Sequence, residues 1–219
     1  MLLKKDGKWF GDSASKNVFL QLVDEHDLAL MDCEAEAVRT LTGCSDWCIH
    51  AVPVSDWNQD LTPWCADPIF GRQGFGDGAP RTLQRLLEIV GDENNCRCFL
   101  CGYSLAGLFA LWAGCQTDAF AGITAASPSV WYPGWVAYAQ MHPMRSSAVY
   151  LSLGEKEEKT RNHIMASVGT AVRRQHELLS AAGVKTTLEW NPGNHFVDSD
   201  RRMAKGIAWM LKEMEGANP

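Results

Sequence analysis

The sequence has 219 residues, with 26 acidic and 20 basic side chains and a formal net charge of −6. A chain of this length can bury the core of one α/β domain. No Pro-, Gly- or Ser-rich linker divides it, so we predict a single domain over residues 1–219. Because no block of like charge is present, neither nucleic acid nor an anionic membrane is an expected partner.

The N-terminus lacks the apolar stretch of a secretion signal, and no apolar run is long enough to span a membrane, which predicts a cytoplasmic protein. Three of the eight cysteines, Cys48, Cys98 and Cys101, fall on predicted buried strands, where a thiol behaves as a small hydrophobic group. Cys98 and Cys101 have no second pair at zinc-ligand spacing. We therefore predict thiols in a reducing compartment, no metal and no other cofactor.

The first third of the chain combines short strands with a helix. Residues 18–23 and 28–31 are predicted to form an antiparallel hairpin at the edge of the sheet. A helix over residues 34–41 and a buried strand over residues 48–54 follow. Residues 55–78 form a long irregular segment with several Trp and Phe. A loop of that length in a compact domain is typical of a functional segment.

Strands and helices alternate over the rest of the chain. The predicted strands cover residues 98–101, 122–126, 148–153 and 186–190, and apolar residues at helical spacing mark helices within residues 83–90, 105–112, 164–179 and 203–211. This alternation predicts an α/β fold with a mostly parallel central sheet and helices on both faces. In such sheets the functional loops gather at the C-terminal ends of the strands.

A short motif joins the strand at 98–101 to the following helix: Gly102-Tyr103-Ser104-Leu105-Ala106-Gly107. A strand that turns abruptly into a helix, with small residues two positions either side of one serine, is typical of a nucleophile elbow. Ser104 would then lie at the helix N-terminus, where backbone N–H groups and the helix dipole stabilise negative charge. The motif alone is weak, and its context strengthens it.

Two later strands are followed by loops with the partners that a serine nucleophile needs. A serine hydroxyl is a poor nucleophile until an imidazole takes its proton, and the imidazole needs a carboxylate to orient it. His195 follows the strand at 186–190. The loop after the strand at 148–153 contains three acids, of which we favour Glu157, with Glu155 next and Glu158 last. The chain order is Ser, acid, His.

Taken together, the elbow, Ser127-Pro128-Ser129-Val130-Trp131, Gly154-x-x-Glu157 and Gly193-Asn194-His195-Phe196 resemble the esterase D-like branch of the α/β-hydrolase superfamily, which includes ferric-siderophore and feruloyl esterases. The resemblance runs from about residue 48 to the C-terminus. It implies an α/β-hydrolase fold and a serine esterase. The chain departs from the usual pattern by having Ala106 as the last small residue of the elbow and Glu in place of the commoner Asp.

The resemblance also implies roles for individual residues. Ser104 would be the nucleophile, His195 the base and Glu157 the acid. The oxyanion hole would use the backbone N–H of Leu105 and a second N–H from the loop after an early strand. Trp57 occupies that place in the sequence, and no His-Gly-Gly motif is present.

Nine tryptophans are many for a chain of this length, and several fall in predicted loops. Ordinary core packing is one explanation. The other is an aromatic-walled cleft for flat or apolar ester groups, to which we assign Trp64, Trp131 and Tyr132.

The sequence thus predicts a serine esterase that hydrolyses carboxylic esters of small substrates, aromatic ones included, through an acyl-enzyme on Ser104. Two alternatives stay open: a peptidase or thioesterase on the same scaffold, and a catalytically silent binding protein of the same fold. The expected partner is a small-molecule ester, and the sequence does not indicate an oligomeric state.

Overall fold

The computed structural model describes residues 7–92 and 96–215. The strands of this part of the chain form one seven-stranded sheet. They are β1 (Lys8–Gly11), β2 (Asn17–Val23), β3 (Cys48–Pro53), β4 (Arg97–Tyr103), β5 (Gly122–Ala126), β6 (Ala148–Gly154) and β7 (Lys185–Asn191). The helices are α1 (Glu25–Thr42), α2 (Trp57–Asp60), α3 (Ala79–Asp92), α4 (Leu105–Gln116), α5 (Trp135–Met141), α6 (His163–Ala166), α7 (Val168–Ala181) and α8 (Ser199–Glu215).

The strand order is β1-β3-β2-β4-β5-β6-β7, and every pair is parallel except β1 with β3. The predicted mostly parallel sheet is therefore confirmed. Tyr103 at the end of β4 is level with Ala126 on β5, and Gly154 on β6 is level with Asn191 on β7. Because these strands run in the same direction, the loops after them open at one edge of the sheet.

The sheet is buried on both faces, as the sequence predicts for parallel strands. On one face, Leu20, Leu100 and Ile123 belong to a core that includes Phe109 of α4. On the other, Phe19 and Phe99 stack at 4.5 Å between ring centroids, in a second core cluster that includes residues of α1 and α8. Among the described residues, no helix combines the length and the apolar character needed to cross a membrane.

The predicted hairpin of residues 18–23 and 28–31 is wrong. The first segment is β2, which lies between β3 and β4 and pairs in parallel with both. The second belongs to α1: the side chain of Asp24 accepts a hydrogen bond from the backbone N–H of Asp27 at 2.8 Å and caps the helix. The residues that would have formed the turn of the hairpin, Asp24 to Asp27, are instead the N-cap and first turn of this helix. The apolar spacing of Met31, Ala35 and Val38, all buried, is helical.

The antiparallel edge of the sheet exists, but β1 provides it. Two other differences lie near the C-terminal edge of the sheet. The helix predicted within residues 164–179 is divided into α6 and α7, and α5 was not predicted. The segment at residues 55–78 contains α2 and is otherwise irregular, as expected.

Candidate active site

The turn between β4 and α4 has the backbone of a nucleophile elbow. Ser104 has φ 57° and ψ −120°, a conformation that residues other than Gly rarely adopt. A Cβ on Gly102 would lie 2.2 Å from the backbone of Ala106, so only glycine fits there. The turn is held by a hydrogen bond from the Ser104 N–H to the Ala126 carbonyl at 3.1 Å. These constraints place the hydroxyl of Ser104 at the N-terminus of α4.

The imidazole of His195 joins this hydroxyl to a carboxylate. Its Nε2 lies 3.0 Å from Ser104 Oγ, and its Nδ1 lies 2.8 Å from Glu157 Oε2. The side chain of His195 is 27 % exposed and that of Glu157 only 5 %, so the base reaches solvent while the acid lies behind it. Three residues that are far apart in the sequence thus form one hydrogen-bonded chain.

The other two acids of the same loop do not face the imidazole. Glu158 forms an ion pair with Arg173 on α7, with 3.0 Å between Oε2 and Nη1. Glu155 is exposed, and its backbone N–H donates to the Asn191 carbonyl at 2.9 Å. Of the three candidates from the sequence, the geometry brings only Glu157 to His195.

The second oxygen of Glu157 has its own set of donors. Oε1 accepts from the Ser127 hydroxyl at 2.7 Å, from the Gly154 N–H at 2.7 Å and from Arg202 Nη1 at 2.9 Å. Burial alone would raise the pKa of Glu157, but the hydrogen bonds from His195, Ser127 and Gly154 and the attraction of the imidazole hold that pKa below its usual value. The carboxylate is therefore kept ionised beside the base.

Several residues of this network were not identified as site residues from the sequence. Ser127, which has φ 44°, appeared only as part of a motif, and Tyr103 only as the residue before the serine. Arg202 lies in α8 with 1 % of its surface exposed. The feature of the sequence that could have identified Arg202 is the position of an arginine next to apolar residues of the last helix. Ser129 lies closest to the nucleophile, with 3.4 Å between its Oγ and that of Ser104.

The two residues predicted for the oxyanion hole differ in their positions. Leu105 is the first residue of α4, so its backbone N–H is one that the helix leaves without an internal partner. Trp57 begins α2, in the loop after β3. Because β2 separates β3 from β4, the loop beside the elbow on that side is the one after β2, at the start of α1. The expectation that the loop with Trp57 is adjacent to the elbow is corrected accordingly.

The predicted aromatic residues form one cluster, but they are not equally accessible. Trp131 is 8 % exposed and Tyr132 2 %. The Tyr132 hydroxyl donates to the Trp64 carbonyl at 2.5 Å, and Trp64 Nε1 donates to the Pro133 carbonyl at 2.8 Å. Tyr132 is therefore largely enclosed in the fold and supports the cluster from inside, and its role in binding substrate stays a prediction.

Phe70, which the sequence did not single out, completes this cluster at the surface. It is 43 % exposed and lies edge-on to Trp131, with 6.0 Å between ring centroids. Phe75 lies between Phe70 and Tyr132, with centroids at 5.7 and 5.3 Å. A cleft of about 570 Å³, a volume that can hold a small organic ligand, opens along residues 130–137 and α7. Trp131 and Tyr132 line this cleft, whereas Ser104, His195 and Phe70 do not.

No family model matches this sequence, and no curated protein sequence matches it. Solved structures do. Siderophore hydrolase EstA from Aspergillus nidulans is 21% identical, the match covers 93% of this chain and 85% of that one, and the TM-score is 0.64. An IroE-like serine hydrolase from Shewanella oneidensis is 16% identical, the match covers 90% of this chain and 71% of that one, and the TM-score is 0.69. The chain has the α/β-hydrolase fold.

A third α/β-hydrolase match is the enterobactin esterase Fes from Shigella flexneri, at 14% identity and a TM-score of 0.65. It covers 94% of this chain and 55% of the Fes chain, so this chain spans about half the length of that protein. These structural relatives include the siderophore esterases that the sequence motifs resemble. At such identities the likeness establishes the fold alone.

Proposed function

We propose that this α/β-hydrolase is a serine esterase. The observation that carries the proposal is the continuous chain from Ser104 Oγ through the imidazole of His195 to Glu157, with contacts of 3.0 and 2.8 Å. In the proposed reaction His195 removes the hydroxyl proton as Ser104 attacks the ester carbonyl, and it then returns that proton to the leaving alcohol. Water hydrolyses the resulting acyl-enzyme by the same steps, and Glu157 stabilises the imidazolium.

The charge that develops on the carbonyl oxygen needs donors already in place. The N–H of Leu105 is the first. For the second we propose an N–H at the start of α1, at Glu25 or His26, because the loop after β2 is the one next to the elbow. The N–H groups of Glu25 and His26 lie in the first turn of α1 and have no acceptor within the helix, like the N–H of Leu105 in α4. Neither donor requires a metal or another cofactor.

The mechanism can be tested by covalent labelling with a fluorophosphonate. We expect the folded protein to take up one phosphonyl group per chain, on the peptide that contains Ser104, because only an activated serine reacts. The urea-unfolded protein is the control and should remain unlabelled. A folded chain that is not labelled would favour the catalytically silent binding protein. Labelling without ester turnover would favour a peptidase or thioesterase, to be separated with peptide and thioester substrates.

The substrate class that we propose is an ester with a flat, aromatic or apolar group. Phe70 and Trp131 form an aromatic wall that begins two residues after Ser129, whose backbone N–H donates to the Ser104 carbonyl at 3.0 Å. A structure of the Shigella enterobactin esterase was determined in the presence of 2,3-dihydroxy-N-benzoyl-glycine, which carries an aromatic ring. A ring of this kind, stacked on the wall, would gain the edge and face contacts that aromatic pairs prefer.

Replacing Phe70 by Ala tests this wall at the residue with the most exposed ring. We expect kcat/KM for a benzoate ester to fall about tenfold, since an aromatic pair contributes about 0.5–1.5 kcal/mol beyond burial. The acetate ester of the same alcohol should be nearly unaffected. Leu41→Ala, which removes an equally exposed apolar side chain at the far end of α1, is the matched control. An unchanged benzoate-to-acetate ratio would contradict the aromatic substrate class.

A further inference from the structure

Arg202 is a charged residue in the interior of the molecule. It lies in the first turns of α8 and is 1 % exposed. A buried cation is costly unless it is paired and its hydrogen-bond donors are satisfied. The guanidinium group is paired through two nitrogens, each bonded to a different part of the site, while its Nε has no hydrogen-bond partner among the described residues.

Nη1 of Arg202 reaches the acid and its surroundings. It lies 2.9 Å from Glu157 Oε1, 3.0 Å from Ser127 Oγ and 3.2 Å from the Tyr103 hydroxyl. Glu157 lies in the loop after β6, Ser127 directly follows β5, and Tyr103 is the last residue of β4. One nitrogen therefore joins three of the four strands whose loops form the site.

Nη2 reaches the loop that carries the base. It donates to the carbonyls of Pro192 and Asn194, at 3.1 and 2.8 Å. The Tyr103 hydroxyl, itself an acceptor for Arg202, donates to the His195 carbonyl at 2.7 Å. The backbone on both sides of the imidazole is thus tied to the same guanidinium that binds the acid.

The space around this contact is closed. A Cβ on Gly154 would lie 2.8 Å from the Gly193 carbonyl oxygen, 2.9 Å from Glu157 Oε1 and 3.0 Å from Arg202 Nη1. The carboxylate therefore cannot rotate without displacing its donors. With Oε1 held by Arg202, only Oε2 is presented to His195.

We propose that Arg202 is a positioning residue that sets the distance and orientation between Glu157 and His195. The inference rests on the proposed esterase function and adds a role that the three-residue chain does not itself contain. A planar guanidinium suits this role because its donors diverge in a fixed plane, whereas an ammonium group is a single compact point of charge.

The test compares Arg202→Lys and Arg202→Met with Arg201→Met, which removes an exposed arginine from the adjacent position of the same helix. We expect Arg202→Lys to lower kcat about 100-fold with little change in KM, since a small displacement of reacting groups has an effect of that size. Arg202→Met should lower kcat at least as much, because it removes every hydrogen bond that Arg202 donates to Glu157 and to the loop of His195. Arg201→Met should resemble the wild type in kcat and KM.

A role in stability alone would produce a different result. Both Arg202 variants would then unfold more easily while the folded fraction kept the wild-type kcat, and that outcome would overturn the proposal. If Arg202→Met does not fold, Arg202→Lys still provides the kcat comparison. Partial recovery of Arg202→Ala activity by added guanidinium ion, and not by an equal concentration of ammonium ion, would support positioning.

One readout does not depend on turnover. The proton between Nδ1 of His195 and Glu157 should give a far-downfield proton resonance in the wild type and in Arg201→Met. We expect that resonance to shift or broaden in Arg202→Lys. If no ester is hydrolysed by the wild type but the resonance responds in this way, the proposed function fails and the positioning role stands. An unchanged resonance in Arg202→Lys would contradict the role of Arg202 in any case.

Discussion

Replacing Ser104 by Ala is expected to lower kcat for ester hydrolysis by at least about 10⁴-fold, because it removes the hydroxyl that lies 3.0 Å from His195 Nε2 and with it the proposed nucleophile. The fold should be unaffected. Alanine tolerates the elbow no worse than serine, and the backbone bonds of residue 104 to Ala126 and Leu108 do not involve the hydroxyl. Steady-state kinetics and thermal unfolding of the same preparation provide the two measurements.

Ser129→Ala is the matched control for this change. Its hydroxyl lies 3.4 Å from that of the partly buried Ser104, and Ser129 itself is buried, but it has no contact with His195 among the described hydrogen bonds. We expect its kcat to fall far less than that of Ser104→Ala. If Ser104→Ala keeps a tenth or more of the wild-type kcat, Ser104 is not the nucleophile, and the proposed mechanism is wrong.

The second large effect is on stability, and it concerns Glu34 in α1. Glu34 is 3 % exposed, and Gln21 Nε2 donates to its Oε2 at 3.0 Å, while Oε1 has no hydrogen-bond partner within the described part of the chain. Burial raises the pKa of Glu34 to about 8; the Gln21 hydrogen bond opposes this rise, and the charges of Asp27 and Asp200 add to it. The group is therefore largely neutral in the folded protein at pH 7.

The sign of the pH effect follows from proton linkage. Because the folded pKa lies above the unfolded value of 4.5, the folded state binds the extra proton. Glu34 thus destabilises the wild type progressively as the pH rises from about 4.5 to 8. The total is up to roughly 5 kcal/mol, at 1.36 kcal/mol per pKa unit. Glu34→Gln keeps the shape and cannot ionise, so it should be more stable than the wild type at pH 9 and similar to it at pH 4.5.

Urea unfolding at pH 4.5, 7 and 9 measures this difference directly. Glu36→Gln, on the exposed side of the same helix and paired with Arg39 at the surface, should show almost no change in its pH dependence relative to the wild type. A free energy difference between Glu34→Gln and the wild type that stays constant from pH 4.5 to 9 would mean that Glu34 does not titrate as described.

Much of the site could be predicted because its signals are local. The elbow of Gly102, Ser104 and Ala106 is recognisable since a tight strand-to-helix turn restricts residue size within a few positions. The placement of His195 and Glu157 required only that their strands be parallel to β4. The structure shows that they are. The sequence favoured Glu157 over its neighbours Glu155 and Glu158 without excluding them. The conformation of the loop after β6 is what brings Glu157, and not the other two, to His195.

The two errors near the N-terminus, the hairpin and the choice of oxyanion loop, arose because the sequence does not show which strands are adjacent in the sheet. Residues 24–27 contain polar residues suited either to a turn or to a helix cap, and the sequence offers no way to see that β2 lies in the middle of the sheet. Placing β2 at the edge made residues 28–31 of α1 a hairpin strand, although residues 34–41 were correctly predicted as helix. The loop with Trp57 was chosen for the second oxyanion donor because it follows an early strand, and the sequence does not show which early strand lies beside β4. Arg202 was missed because charged residues are usually exposed.

The amino-acid sequence by itself determined the alternation of strands and helices, the strained turn at Ser104 and the order of hydroxyl, acid and imidazole along the chain, because each depends on residues close together in sequence. Only the tertiary structure decided which strands are adjacent, which carboxylate faces His195 and which buried cation joins them. Those features depend on hydrogen bonds between residues that are 38 to 91 positions apart, and side-chain pairings over such separations are selected by packing rather than by local propensity.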